Sequence, residues 1–200
     1  MVLKGILLCM LCYLIGGIPF GMILGLTLKK TDIRNYGSGN IGATNVLRTF
    51  GIKMALPTFI LDFSKGMLAY FFAKTIGLSE GWIIACGLAV ILGHNWSVFL
   101  KFTGGKGVAT TYGFMLVACP KVCLFAIIIW LLVTLISRFV SLASLLSGVG
   151  LIIGCLIFKV SHFITIFCII ASALMFIRHK SNISRLIAGT ENKFSINRSK

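Results

Sequence analysis

With 200 residues, 58% hydrophobic and 12% charged, the chain has a mean hydropathy of +1.03 and too few charges to cover a soluble domain. Lys and Arg total 19 against four acidic residues (Asp32, Asp62, Glu80 and Glu191), a formal net charge of +15. These cations punctuate long apolar runs instead of gathering with aromatics on a wet face, so the excess reads as membrane topology and argues against a nucleic-acid partner.

Lys4 precedes the uncharged run Gly5–Leu28. That run is too long for a signal-peptide core and no A-x-A site follows, so it reads as a retained first span. About 20 apolar residues cross a bilayer core of about 30 Å. Met54–Ala73 is a second run of that length, carrying Asp62 and Lys65, and Gly81–Leu100 is uncharged apart from His94. Gly107–Ser137 is longer, and Pro120-Lys121 predicts a turn that divides it into two short spans. Phe139–Phe158 and Val160–Ile177 complete the set, with a tight turn at Lys159 and Ser161. The expectation is an all-α integral membrane protein of seven transmembrane helices, some short or re-entrant, forming a single membrane-embedded domain over residues 1–200.

On this count one side of the membrane receives 14 Lys and Arg, Arg198 and Lys200 among them. The other receives only Lys4, Lys74, Lys121 and Lys159. The positive-inside rule then places the N-terminus outside and the C-terminus in the cytoplasm. Nearly all seven cysteines lie within apolar runs. The Cys9-x-x-Cys12 pair has no second pair or His cluster beside it, so neither a metal site nor a disulfide framework is expected.

Three segments on the cytoplasmic side could carry chemistry. The first is Gly37-Ser38-Gly39-Asn40-Ile41-Gly42-Ala43-Thr44-Asn45-Val46-Leu47-Arg48. Its glycines let backbone N–H groups approach an anion, Ser38, Asn40, Thr44 and Asn45 add neutral donors, and Arg48 offers a planar fork suited to phosphate. It matches neither a Walker A nor a Rossmann spacing, and a plain Gly/Asn-rich turn is the competing reading. The second segment runs from Gly93-His94-Asn95 to Gly104-Gly105-Lys106-Gly107, a flexible backbone around one cation. Lys106 alone would pass for an ordinary positive-inside lysine. The third follows the last span and holds Arg178, His179, Asn182, Arg185 and Glu191. On one helix, Arg178, Asn182 and Arg185 would share a face; a solvated basic tail on an anionic membrane surface is the alternative. Asp62 and Lys65 read as an internal ion pair, while Ser141 and Ser144 could cap a helix or donate to a ligand, capping suiting Ser144 better.

The stretches Ser38–Arg48, Gly93–Thr110 and Arg178–Glu191 resemble the signature motifs of the bacterial acyl-phosphate-dependent glycerol-3-phosphate acyltransferases, the PlsY family. The resemblance extends over nearly the whole chain. It implies transfer of an acyl group from acyl phosphate to the 1-hydroxyl of sn-glycerol 3-phosphate, giving 1-acyl-glycerol 3-phosphate (lysophosphatidic acid) and phosphate. This is the first acylation of phospholipid synthesis, at a cytoplasmic active site in the bacterial inner membrane, with no cofactor or metal and no obligate protein partner, only membrane lipids around it. By the same resemblance Ser38, Arg48, Lys106, His179, Asn182 and Glu191 form the catalytic set. Gly37, Gly39, Asn40, Asn45, His94, Asn95, Gly104, Gly105, Gly107, Ser141 and Arg185 bind substrate. Thr103 departs from the family pattern, which is often basic there.

The residues agree with such chemistry. Acyl phosphate is already activated at its carbonyl, and both substrates carry phosphate. The His-x4-Asp motif of the other large glycerolipid acyltransferase class is absent after His94, His162 and His179. Direct attack by the glycerol hydroxyl is therefore expected, its proton passing to a substrate phosphate oxygen or to His179 or Glu191. A transporter for phosphate or a phosphorylated metabolite is the principal rival, although no inverted repeat or chain of intramembrane ionisable residues supports it. A scaffold recruiting acidic partners through the basic tail is a weaker one.

Overall fold

The computed structural model describes residues 1–194. Arg198 and Lys200, counted above among the cytoplasmic cations, lie outside the described residues. Among those described the chain is helical, and the one β-bridge joins Ser97 to Thr103. Two compact units divide it, Met1–Val117 and Ala118–Lys200.

The first unit opens with helices α1 (Val2–Gly17) and α2 (Phe20–Lys29). The break falls at Ile18-Pro19, because proline supplies no N–H and drives the preceding residue out of helical geometry; Ile18 sits at φ −60°, ψ 116°. A short amphipathic helix, α3 (Ala43–Phe50), leads into α4 (Ile52–Thr75), followed by α5 (Glu80–Asn95) and α6 (Val108–Ala118). α1 lies along α5, and α4 contacts α1, α2, α3 and α5.

The helix break leaves backbone carbonyls with no intrahelical partner inside an apolar bundle, where an unsatisfied group is costly. Lys65 on α4 answers this. Its Nζ donates to Ile18 O at 2.6 Å, to Gly16 O at 3.2 Å and to Asp62 Oδ1 at 2.7 Å. Three ammonium protons thus meet three acceptors, with the Phe20 ring 4.7 Å below. Ser97 Oγ donates to another of these carbonyls, Gly17 O. The internal pair expected of Asp62 and Lys65 is present and almost fully buried.

Small residues let these helices approach to backbone contact. A Cβ on Gly113 of α6 would strike Phe63 O of α4, and one on Gly66 of α4 would strike Thr110 O. Beneath the first polar segment, Ile33, Ile41, Val46, Met54, Ala55 and Leu100 form one apolar cluster, so the first and second segments share a floor.

The second unit is an antiparallel run of α7 (Pro120–Ser137), α8 (Val140–Ile157) and α9 (His162–Arg178). The expected turn at Pro120-Lys121 occurs as a break at Cys119, with Pro120 opening α7. The turn after α8 passes through Lys159 at φ 48°, and Ser161 Oγ accepts from Ile164 N to start α9. Small residues on α8 again admit close neighbours: Ser172 Oγ of α9 donates to Gly148 O at 2.7 Å. Ser144 is not a cap. It lies a full turn inside α8, donates to Val140 O at 2.8 Å, and accepts from Trp130 Nε1 at 3.3 Å.

Among the described residues three stretches are long and apolar enough to cross a membrane: Val2–Lys29, Pro120–Ser137 and Val140–Ile157. A fourth qualifies only as the pair α9 and α10 (Lys180–Ile187), bent by 62°. α4 has a span's length but is diluted by its ion pair, while α5 and α6 have 16 and 11 residues. Gly113→Val should lower the thermal midpoint of the detergent-solubilised protein, as overpacking costs about 1–3 kcal/mol. An unchanged midpoint would show that α4 and α6 are not held at backbone contact.

Candidate active site

In the first unit the polar segments become two connected loops. Asn45, 2% exposed at the start of α3, organises the first. Its Oδ1 accepts from Ser38 N at 2.8 Å, and its Nδ2 faces Tyr36 O and Asn40 O, each at 2.9 Å, and Ile33 O at 3.4 Å. Expected as a substrate ligand, Asn45 is engaged by its own loop and sets the loop's shape. Gly37 and Gly39, both at positive φ, carry the chain around it. Ser38 and both glycines are exposed, and Arg48 lies half-buried in the last turn of α3.

Asn40 joins this loop to the second. Its Oδ1 accepts from Gly42 N at 2.9 Å, and its Nδ2 donates to Gly104 O at 3.3 Å. Gly104-Gly105-Lys106-Gly107 then feeds the N-terminus of α6, where backbone N–H groups and the helix dipole suit an anion. Lys106 is half-buried beside them.

His94 and Asn95, expected as substrate ligands, end α5 at 5% and 0% exposure. A Cβ on Gly105 would collide with His94 Nε2, so only glycine lets the loop rest on that ring. His94 O accepts from Gly105 N at 2.9 Å. The Asn95 amide lies against Gly107. Both side chains support the loop from beneath.

The second unit builds its cluster around one carboxylate. α9 ends at Arg178, and the chain turns at His179, which sits at φ −97°, ψ 9°, before α10 begins. The face expected to include Arg178 therefore does not form, while Asn182 and Arg185 remain together on α10. After α10, Gly189 adopts φ +69°, and Thr190 N bonds back to Arg185 O at 2.8 Å. This reversal returns Glu191 to the helix it has just left. Its Oε1 accepts from Ser141 Oγ at 2.8 Å and from Asn182 Nδ2 at 2.7 Å, and its Oε2 from Arg185 Nε at 2.7 Å. His179 is 3% exposed, with its Nδ1 2.8 Å from Met175 O. A carbonyl can only accept, so Nδ1 carries the proton and Nε2 is the basic nitrogen of the neutral ring. Phe194 N donates to Arg138 O at 2.6 Å and pins the tail to the turn before α8.

Burial alone would raise the Glu191 carboxyl, but the bonds from Asn182, Arg185 and Ser141, with the Arg185 charge, outweigh it and hold Glu191 below its ordinary value of 4.5. A depressed value means the bonds contribute fully above the ordinary value and are lost as pH falls through the folded one. Amide exchange at residues 190–194, corrected for intrinsic rate, should accelerate as pH drops below about 4.5. Glu191→Gln should remove that dependence; the same profile in the variant would assign the titration elsewhere.

The comparisons with known proteins agree with this architecture. The family model described as glycerol-3-phosphate acyltransferase matches residues 6–189. The glycerol-3-phosphate acyltransferase of Thermoanaerobacter pseudethanolicus is 46% identical over 188 residues, 94% of each chain. That of Aquifex aeolicus is 40% identical over 194 residues, 96% of this chain and 100% of the relative. The crystal structure of PlsY, an integral membrane glycerol 3-phosphate acyltransferase, superposes in its glycerol 3-phosphate form with a TM-score of 0.90 at 39% identity over 96% of both chains. Its lysophosphatidic acid form gives 0.88 at 38% identity over the same share. This chain is a helical membrane protein and belongs to the glycerol-3-phosphate acyltransferase family, of which PlsY is a member.

Proposed function

We propose that this chain transfers an acyl group from acyl phosphate to the 1-hydroxyl of sn-glycerol 3-phosphate, releasing phosphate and 1-acyl-glycerol 3-phosphate, the first acylation of phospholipid synthesis. Family membership supports the acceptor and the reaction class. The observation that carries the donor is the joined loop pair of the first unit, in which Asn40 ties the Ser38 loop to Gly104 beside Lys106. The whole chain, residues 1–200, acts as one membrane-embedded acyltransferase domain. It spans the bacterial inner membrane seven times, with its N-terminus outside and its C-terminus and active site cytoplasmic, as the distribution of basic loops favours.

In this reading Ser38, Arg48 and Lys106 contact phosphoryl oxygens. The backbone around Gly37, Gly39, Gly104, Gly105 and Gly107 approaches a phosphate closely. Ser141, His179, Asn182 and Arg185 surround glycerol 3-phosphate. The glycerol oxygen attacks the acyl carbonyl, the bond from that carbon to the phosphate oxygen breaks, and phosphate leaves with the electron pair. The hydroxyl proton passes to a substrate phosphate oxygen. Cations and N–H donors stabilise charge on the carbonyl oxygen and the leaving group, so positioning and electrostatics carry the rate. Glu191, committed as an acceptor to three donors and held ionised, serves to orient Ser141 and Asn182. No protein nucleophile or metal enters the scheme.

Purified protein given acyl phosphate and glycerol 3-phosphate should yield stoichiometric phosphate and lysophosphatidic acid. Uptake of a phosphorylated solute by proteoliposomes without chemistry would indicate the transporter instead. Arg48→Ala and Asn182→Ala should each lower kcat/KM by at least about a hundredfold, in line with the loss of a transition-state donor, while the protein stays in the membrane. With proton transfer assigned to substrate, His179→Ala should act mainly on the KM for glycerol 3-phosphate. A large fall in kcat at saturation with binding intact would make His179 Nε2 the base.

A further inference from the structure

Asp62 belongs to none of the three polar segments, yet it lies against residues on either side of the Gly104–Gly107 loop in sequence, His94 and Thr110. Ahead of the loop, its Oδ1 lies 3.6 Å from His94 Nδ1, an electrostatic separation and not a hydrogen bond. Behind the loop, its backbone carbonyl accepts from Thr110 Oγ1, in the first turn of α6, at 3.0 Å. Asp62 is 3% exposed and Lys65 is 1% exposed. The same Oδ1 takes the Lys65 ammonium, whose other two bonds go to the broken α1–α2 span. His94 passes the constraint on through two atoms: its carbonyl accepts from Gly105 N, and its Nε2 edge meets the Gly105 backbone where a Cβ would stand.

We infer that Asp62 and His94 are positioning residues for the reaction. The buried Lys65–Asp62 pair fixes the tilt of the His94 ring, and the ring fixes the height of Gly105 and the presentation of Lys106 to a substrate phosphate. The inference rests on the reading of Gly104–Gly107 as a phosphate loop. The physical case is that a misplacement of about 1 Å at a binding group can cost about a hundredfold in rate. A loop of three glycines and one lysine has little rigidity of its own, so its geometry must come from what it rests on. The ion pair is sealed from water and satisfied by the helix break, and gives that support a fixed reference.

The two nitrogens of His94 can be tested separately. His94→Asn retains an amide nitrogen near the Nδ1 position facing Asp62 but withdraws the group under Gly105. His94→Gln retains a polar atom near the Nε2 position but loses the one facing Asp62. Asp62→Asn keeps the volume and removes the charge, and Lys106→Ala serves as the reference. Steady-state KM for each substrate, kcat and thermal midpoint are measured for the full-length detergent-solubilised protein. Lys106→Ala is expected to raise the KM of one phosphate-bearing substrate. Asp62→Asn, His94→Asn and His94→Gln should raise that same KM roughly tenfold, with kcat changed less than about threefold. The double variant Asp62→Asn/His94→Gln should be no worse than the more impaired single, since both remove the same constraint. If the Asp62 and His94 variants lose thermal stability or active fraction while the surviving enzyme keeps its KM, the residues are merely structural and the inference is overturned. Additive effects in the double variant would overturn it as well. If Lys106→Ala leaves both KM values unchanged, the phosphate-loop reading itself fails and takes this one with it.

Discussion

The first unit depends on one buried ammonium. Proline at position 19 interrupts the first apolar stretch and leaves carbonyls at the end of α1 without helical partners. Lys65 satisfies two of them and is itself neutralised by Asp62 three residues earlier. Each part alone would be unfavourable in an apolar interior: an open helix break, an unpaired lysine, an unpaired aspartate. In combination every donor on the ammonium has an acceptor. The Asp62 backbone carbonyl holds α6 through Thr110, and its carboxylate faces His94, so the plug in the helix break also lies beneath the residues that flank the Gly104–Gly107 loop.

Both polar clusters follow one principle. A single buried polar side chain gathers its neighbours and fixes their positions. Asn45 gathers carbonyls and one amide from its loop, and Asn40 stitches that loop to Gly104. In the second unit Glu191 takes the role that Asn45 has in the first, drawing Ser141, Asn182 and Arg185 onto one carboxylate. Preorganisation of this kind suits acyl transfer to glycerol 3-phosphate, where donors must already be in place as charge develops.

The amino-acid sequence by itself determined the membrane class, the apolar stretches, the break at Pro120, the Asp62–Lys65 pair and the three polar segments that match the family motifs. All of these follow from composition and from spacing along the chain, because a bilayer demands about 20 apolar residues per crossing and tolerates charge only in pairs or at its edges. The family motifs were legible for the same reason, being contiguous. Tertiary structure alone decided which motif residues are buried against the loops and which stay exposed. Asn45 bonds its own loop and His94 and Asn95 lie against Gly105 and Gly107, contacts that a linear pattern of polar residues does not display. It decided too that His179 ends one helix and starts another, which removed Arg178 from the face of Asn182 and Arg185. It brought Glu191 back to Ser141 through a left-handed turn at Gly189. It set Asp62 of α4 beside His94 of α5 and Thr110 of α6, which flank the glycine loop. Such contacts depend on helix crossings and chain reversals, and a linear pattern carries no distance across them.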